Sequence, residues 1–514
     1  MALLRSIATV GSFTMMSRIL GFVRDILVAA ILGAGPIADA FFIAFKFPNV
    51  FRRLFAEGAF NAAFVPLFAG KYEEDGADIA KKFAEQAFAF LFWVLLVLLI
   101  VMELSMPWAM QLFAPGFMDE PEKFDLAVEL TRITFPYLLF ISLVSLMAGV
   151  LNSLNKFAAA AATPVLLNIC LIGAILGLTP HMETPGHALA WGVFGAGIVQ
   201  FIWLFWNCAK HKMVLILRLP SWGEDVKIMV KRIIPGAIGA GIYQVNLLVD
   251  MMIATLLPTG SISFLFYADR INQLPLGVVG VAVGTALLPM LSRQLRSGDE
   301  KGAMESLNRA LEFSLFLTLP AAAAYMVISD PIVSVLFERK EFTSTDSSAT
   351  AMALFVYAFG LPAYVLNKAL TPGFFARGDT KTPMIIAGVC MVVNIVFNLI
   401  LMGPYLHVGL AMATVISAWT NTFLLAIVLK KRGYFTMDKR LKSKAMRIIL
   451  SCLIMSGCLY GAMVWGDAFL TGAQVERIVS LIALIGVGLV TYFLSAYILR
   501  VARPTELKSM LRRR

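Results

Sequence analysis

Charge is what this sequence has least of. Only 15% of its 514 residues are Asp, Glu, Lys or Arg, while 59% are hydrophobic. A soluble domain of this length carries roughly a quarter charged residues, so a soluble reading is excluded. Histidine is scarce as well: His181, His187, His211 and His407 lie scattered near expected loops. There is no HExxH run, no cluster of carboxylates suited to metal-assisted phosphoryl transfer, and no GxxxxGK[ST] loop. An enzyme reading is therefore weak, and the chain holds no ATP engine and no expected cofactor. The five cysteines (Cys170, Cys208, Cys390, Cys452 and Cys458) fall in or beside apolar stretches with no CxxC pair, which suits packed thiols. Alternating strands of about 10 residues are missing too, which excludes an outer-membrane barrel. The N-terminus carries one Arg and then a long apolar segment without a small-residue cleavage site, and reads as a retained first span.

What the chain does have is apolar length. Its mean hydropathy is +0.81, and stretches of about 20 apolar residues, each enough to cross a bilayer as a helix, follow one another. Backbone polar groups in lipid must be paired internally, which leaves a helical bundle. The expected fold is an all-α integral membrane protein of about fourteen spans, near 5–33, 37–66, 84–112, 125–151, 158–178, 188–208, 229–257, 262–290, 307–336, 347–371, 380–402, 406–429, 446–466 and 478–499. Charge placement agrees. Loops on one side, counted with both termini, carry 31 Lys and Arg, and the opposite loops carry four: Lys123, Arg339, Lys340 and Arg477. The positive-inside rule then places both termini in the cytoplasm. The net charge of +11 is topology, and nucleic acid is not an expected partner.

Three landmarks repeat at an offset near 220 residues: Pro66 with Pro289, Pro136 with Pro362, and Thr163–Pro164 with Thr382–Pro383. Six spans per half make a parallel repeat around a central cavity, the pattern of a transporter. The expected division is a first six-helix lobe over 1–220, a second over 221–435, and two extra helices with a basic cytoplasmic tail over 436–514.

Eight cations fall inside the spans: Arg18, Arg24, Lys46, Arg52, Arg53, Arg132, Arg270 and Lys368. Each costs at least about 2.5–3.5 kcal/mol at the bilayer centre, so such groups face water or a partner. Snorkelling from a span end fits Lys368 and Arg132, and partly Arg52 and Arg53. It fits Arg18 and Arg24 poorly, since they lie roughly 20–28 Å along a span that starts near residue 5. Some acids are local. Asp39, Lys46 and Arg53 are spaced by seven and share a face if the helix continues past Pro48, Arg53 and Glu57 form an i,i+4 pair, and Asp25 and Asp269 adjoin Arg24 and Arg270. A cavity with arginines in excess prefers an anion, and the guanidinium fork suits phosphate oxygens. Arg18 and Arg24 sit about 120° apart on an ideal wheel, with Gly21 between them as a site for a bend. Gly277, Gly280 and Gly284 permit close helix approach or bending. Asp250, Asn394 and Asn398 are embedded polar groups that suit either a packed hydrogen-bond cluster or a weak cation site.

The runs SRILGFVRD (17–25), ADAFFIAFKFPNVFRRLFAEGAFNAAFVPLF (38–68) and YADRINQLPLGVVGVAVGTALLPMLSR (267–293) closely resemble the MurJ/MviN family of lipid II flippases, part of the multidrug/oligosaccharidyl-lipid/polysaccharide exporter superfamily. The likeness extends over nearly the whole chain, and FRRLFAEGAF is its most specific part. It implies alternating-access transport of lipid II, an undecaprenyl diphosphate carrying the peptidoglycan disaccharide-pentapeptide, from the inner to the outer leaflet of a bacterial cytoplasmic membrane. It implies that Arg18, Arg24, Arg52 and Arg270 bind the diphosphate, with Asp25, Asp39, Arg53, Glu57 and Asp269 supporting the cavity or its gating. It implies that the two extra helices help line a groove for the polyprenyl tail. Membrane lipids and cell-wall synthesis enzymes are the implied partners. One departure is Gln273, where relatives often have Glu. Three other readings compete: a flippase for another polyprenyl-diphosphate saccharide, a multidrug or cation antiporter of the same superfamily, and a scaffold for cell-wall enzymes. The antiporter would want cavity acids, and the scaffold leaves deep arginines without a use.

Overall fold

The structure, a computed structural model, describes residues 2–53, 59–466 and 472–501. Among them the chain is predominantly helical. In order come α1 (Ala2–Leu32), α2 (Pro36–Arg52), α3 (Ala59–Glu74), α4 (Ala77–Phe113), α5 (Pro121–Thr134), α6 (Tyr137–Ser153), α7 (Phe157–Gly177), α8 (Pro185–Lys210), α9 (Glu224–Thr255), α10 (Ser261–Pro275), α11 (Val281–Arg296), α12 (Glu300–Phe337), α13 (Ser344–Phe375), α14 (Lys381–Lys431), α15 (Lys439–Trp465) and α16 (Gln474–Ile498). Nine helical stretches among the described residues are long and apolar enough to cross a membrane.

These helices account for the fourteen expected crossings. The α2–α3, α5–α6 and α10–α11 pairs each fall within one expected span. Helix α14 holds two, separated at Leu406, whose φ of 50° breaks the helical run just after Pro404. Prolines sit at other irregularities: Pro136 lies between α5 and α6, and Ile328 departs from helical geometry three residues before Pro331.

Two compact units are present, residues 1–263 with 339–342, and residues 264–338 with 343–514. Helix α9, the first span of the expected second lobe, packs with the first unit, against α3 and α4. In that unit α5 and α6 form the interior, with 72% of their most apolar window buried, whereas α4 buries only 28% of its own. The exposed remainder of α4 is a stripe of Val94, Val97, Val101, Leu104, Trp108 and Leu112. Spacing by three and four puts these on one face, which is the surface a bilayer covers.

In the second unit the basic opening turns of α15 are anchored on a buried acid. Glu312 of α12 accepts from Arg440 Nε at 3.2 Å and Lys444 Nζ at 2.7 Å, and also pairs with Arg309. Arg309 pairs in addition with Asp438, whose carboxylate caps α15 by accepting from Leu441 N at 2.6 Å. Glu312→Ala removes the acid shared by Arg309, Arg440 and Lys444. We expect a loss of about 2–3 kcal/mol, below the roughly 3–5 of a fully buried pair because Arg440 stays 44% exposed. Limited proteolysis within 430–447 reads it: cleavage no faster than in the wild type removes Glu312 as the anchor.

Candidate functional site

Helix α1 carries the first two arginines, and it runs unbroken through Gly21. A Cβ at Gly21 would lie 3.5 Å from Asn168 Nδ2 of α7, so this glycine lies beside a crossing helix. Six residues of helix leave Arg18 and Arg24 about 120° apart, and their surroundings differ. Arg18 is exposed. Arg24 is buried, with Nε and Nη2 donating to Asp25 Oδ1 at 3.0 and 2.6 Å and Nη1 donating to Asn168 Oδ1 at 2.9 Å. Asn168 in turn donates to the Ser17 carbonyl at 2.9 Å. The fork of Arg24 thus braces α1 against α7 in this conformation, and Asp25 neutralises it.

Helix α2 continues past Pro48 to Arg52, so Asp39 and Lys46 do fall on one stripe. Depth separates them: Asp39 is 1% exposed and Lys46 is exposed. Arg52 Nε donates to Asn49 Oδ1 at 3.1 Å, one turn back, while Arg53 is exposed. Glu57 lies outside the described residues.

Asp39 accepts three hydrogen bonds. Its Oδ2 accepts from Gly260 N at 2.7 Å, and its Oδ1 accepts from Ser263 N at 3.0 Å and Ser263 Oγ at 2.7 Å. A carboxylate here caps the opening turn of α10, where unpaired N–H groups and the helix dipole both favour negative charge. Lys123 Nζ stands 3.5 Å from Asp39 Oδ2, donates to Thr259 Oγ1 at 2.8 Å and lies 4.4 Å over the Phe117 ring. Thr259 donates onward to Glu120 at 2.9 Å. By sequence Lys123 counts as an ordinary loop cation. It is 4% exposed, and its isolation on the side poor in Lys and Arg is the signal that marks it.

In the second unit Arg270 lies on α10 with its guanidinium 5.0 Å from the Phe266 ring centroid. Gln273 donates to Asp269 one turn earlier, so the amide at this position holds the acid in place where a second carboxylate would repel it. Between α10 and α11 the chain makes one wide π-helical turn, Leu276–Gly280, a feature common at functional sites. A Cβ at Gly280 would lie 2.8 Å from Lys368 Cδ. The glycine therefore admits the Lys368 stem, which crosses from α13 onto this turn rather than simply snorkelling to a helix end. Arg132 fits the snorkelling reading better: it is exposed on α5 and interacts electrostatically with Glu103. Asn398 donates to Asn394 Oδ1 at 3.2 Å, and Asn246 donates to Asp250 Oδ2 at 3.2 Å.

Long apolar helices, several of them broken, with cations placed inside the apolar length, define a polytopic membrane transporter and not an enzyme. A family model described as lipid II flippase MurJ matches residues 28–480. The chain belongs to the MurJ family of lipid II flippases. It is 46% identical over 505 residues to a probable lipid II flippase MurJ of Rhizobium meliloti, covering 97% of this chain and 94% of that protein. It is 37% identical to a similarly described protein of Vibrio cholerae, covering 99% and 98%. A solved structure of lipid II flippase MurJ in an inward closed conformation superposes with a TM-score of 0.79 at 29% identity, over 95% of this chain and 98% of that one. An inward-facing multidrug transporter of the MATE family shares the fold at a TM-score of 0.68 and 15% identity, over 83% and 97%.

Proposed function

We propose that this protein moves lipid II from the inner to the outer leaflet of a bacterial cytoplasmic membrane, and that Arg18, Arg24, Arg52 and Arg270 act on its diphosphate. The family match over residues 28–480 carries the reading. Arginines at these positions suit a diphosphate because each fork can give two parallel hydrogen bonds to phosphate oxygens. Arg18 and Arg270 are the contact residues. Arg24, held by Asp25 and Asn168, positions α1 and joins the contact only if that bracing opens. Asp39, Arg53, Glu57 and Asp269 support the site or its gating. The repeat over 1–220 and 221–435, with the two extra helices over 436–514, supplies two parallel lobes for alternating access. Both termini lie in the cytoplasm, as the 31-to-four split of loop cations supports, and cysteine labelling of loops 71–82 and 338–341 from opposite faces checks it. Cell-wall synthesis enzymes are proposed partners.

Depleting the protein in its host is expected to accumulate lipid II on the cytoplasmic face, with other polyprenyl-linked precursors unchanged. Accumulation of a different precursor assigns the chain to that saccharide instead. The preponderance of arginine over acid at the expected site is what sets this reading above a cation antiporter.

A further inference from the structure

Away from the arginines, three side chains of the first unit converge at the N-terminal end of α8. One oxygen each of Glu129 and Glu183 and one ring nitrogen of His187 all lie within 4.8 Å of one another. Local sequence builds the arrangement. Thr184 caps α8, its hydroxyl accepting from His187 N at 3.4 Å, and Pro185 follows at the first helical position. The next residue, Gly186, lets α8 approach α2 and α5: a Cβ there would lie 3.0 Å from Ile37 Cγ2 of α2 and 3.1 Å from Leu130 Cδ1 of α5. That approach brings His187 beside Glu129.

The imidazole is held rather than loose. Its side chain is 8% exposed, and Nδ1 lies 2.9 Å from Thr184 Oγ1. With the proton on Nδ1 and donated to that oxygen, the lone pair resides on Nε2. Nε2 is buried, makes no hydrogen bond and points to Glu129 Oε2 at 3.4 Å. In that tautomer two acceptors face each other at 3.4 Å, an arrangement that calls for something positive between them. An imidazolium would draw the carboxylate to about 2.7–2.9 Å. Two ligands about 2.0–2.1 Å from a tetrahedral metal stand about 3.4 Å apart, which matches the observed spacing.

The geometry points to a binding site for one divalent transition-metal ion, of which Zn²⁺ fits best, held by Glu129, Glu183 and His187 and clamping α5 to α8. One imidazole and two carboxylates are a three-ligand set that leaves a fourth position for water. An imidazole ligand selects against Mg²⁺ and Ca²⁺. The Nδ1–Thr184 hydrogen bond is the outer contact that orients a ligating histidine. The α8 N-terminus carries a partial charge of about +0.5 that opposes a cation, and two carboxylates outweigh it.

The test uses the full chain purified in detergent, stripped with a chelator and titrated with Zn²⁺, with bound metal read by mass spectrometry after desalting and Tm read in parallel. The wild type is expected to bind one Zn²⁺ that raises its Tm. Glu129→Gln and Glu183→Gln remove exposed carboxylates without disturbing the fold, and each should weaken binding at least about tenfold. His187→Gln should remove both the binding and the Tm shift. Zn²⁺ uptake that is absent in the folded wild type, or unchanged in the three variants, overturns the site. Equal stabilisation by Mg²⁺ overturns the choice of metal class. A failure here leaves the lipid II reading untouched, since none of these residues belongs to the arginine set.

Discussion

Arg18→Ala and Arg270→Ala each abolish lipid II flipping, or reduce it at least about a hundredfold, while the protein remains inserted and expressed. The expectation rests on what each side chain supplies. A bidentate guanidinium–phosphate contact is a charge-assisted pair of hydrogen bonds, each worth about 1.5–3 kcal/mol, and two decades of activity correspond to about 2.7 kcal/mol. Lysine keeps the charge and loses the planar fork, so Arg18→Lys and Arg270→Lys should recover only part of the activity. Arg24→Ala should behave differently. It removes hydrogen bonds to Asp25 and Asn168, so it lowers stability as well as transport, and Asn168→Ala should reproduce the stability loss. Arg132, exposed and beside Glu103, is the control, and its alanine variant should stay largely active. Lys368 is a poor control, because its stem lies over Gly280 at the wide turn after α10. A reconstituted vesicle assay reads all of these. Equal tolerance at Arg18, Arg270 and Arg132 would mean that topology-setting charge has been mistaken for a substrate site.

Asp39→Ala is the second large effect, and it falls on stability. The substitution removes the acceptor of three hydrogen bonds from Gly260 and Ser263 and leaves Lys123, 4% exposed, with the half-exposed Glu120 at 3.5 Å as its carboxylate. Breaking a buried pair by removing one partner costs about 3–5 kcal/mol, and the remaining Glu120 contact puts the loss at the low end. Asp39→Asn keeps an oxygen for the backbone donors and loses the charge, so it should cost less. The double variant Asp39→Asn with Lys123→Met should be more stable than the sum of the two single losses predicts, since it removes both charges together. Thermal unfolding in detergent measures the cycle. Strict additivity would show that Asp39 and Lys123 act independently, and the 3.5 Å pair would then count for nothing.

The arginines and Asp39 differ in how plainly the amino-acid sequence marks them. Arg18 and Arg270 are legible there because a cation deep in an apolar run is anomalous on its face, and the motif runs around them are specific. The span count is legible for a similar reason: twenty apolar residues and the placement of basic loops are local properties, set by bilayer thickness and by solvation. Asp39 is legible only as a residue of unknown purpose. Its donors lie more than 220 residues away, and no periodicity reports a partner at that distance.

That this chain is a helical membrane transporter with cations inside its spans follows from hydrophobic length and charge placement, which are fixed residue by residue. Which of those charges are buried is a matter of packing. Identical guanidinium groups six residues apart on one helix end up exposed at Arg18 and buried at Arg24, since a turn of about 120° aims one of them at Asn168 of α7. Packing also places α9, counted into the second half by the repeat, with the first unit. Likewise, one close approach at Gly186 sets His187 against Glu129. Each of these depends on which helix faces meet, and a face acquires its partner only when the helices pack.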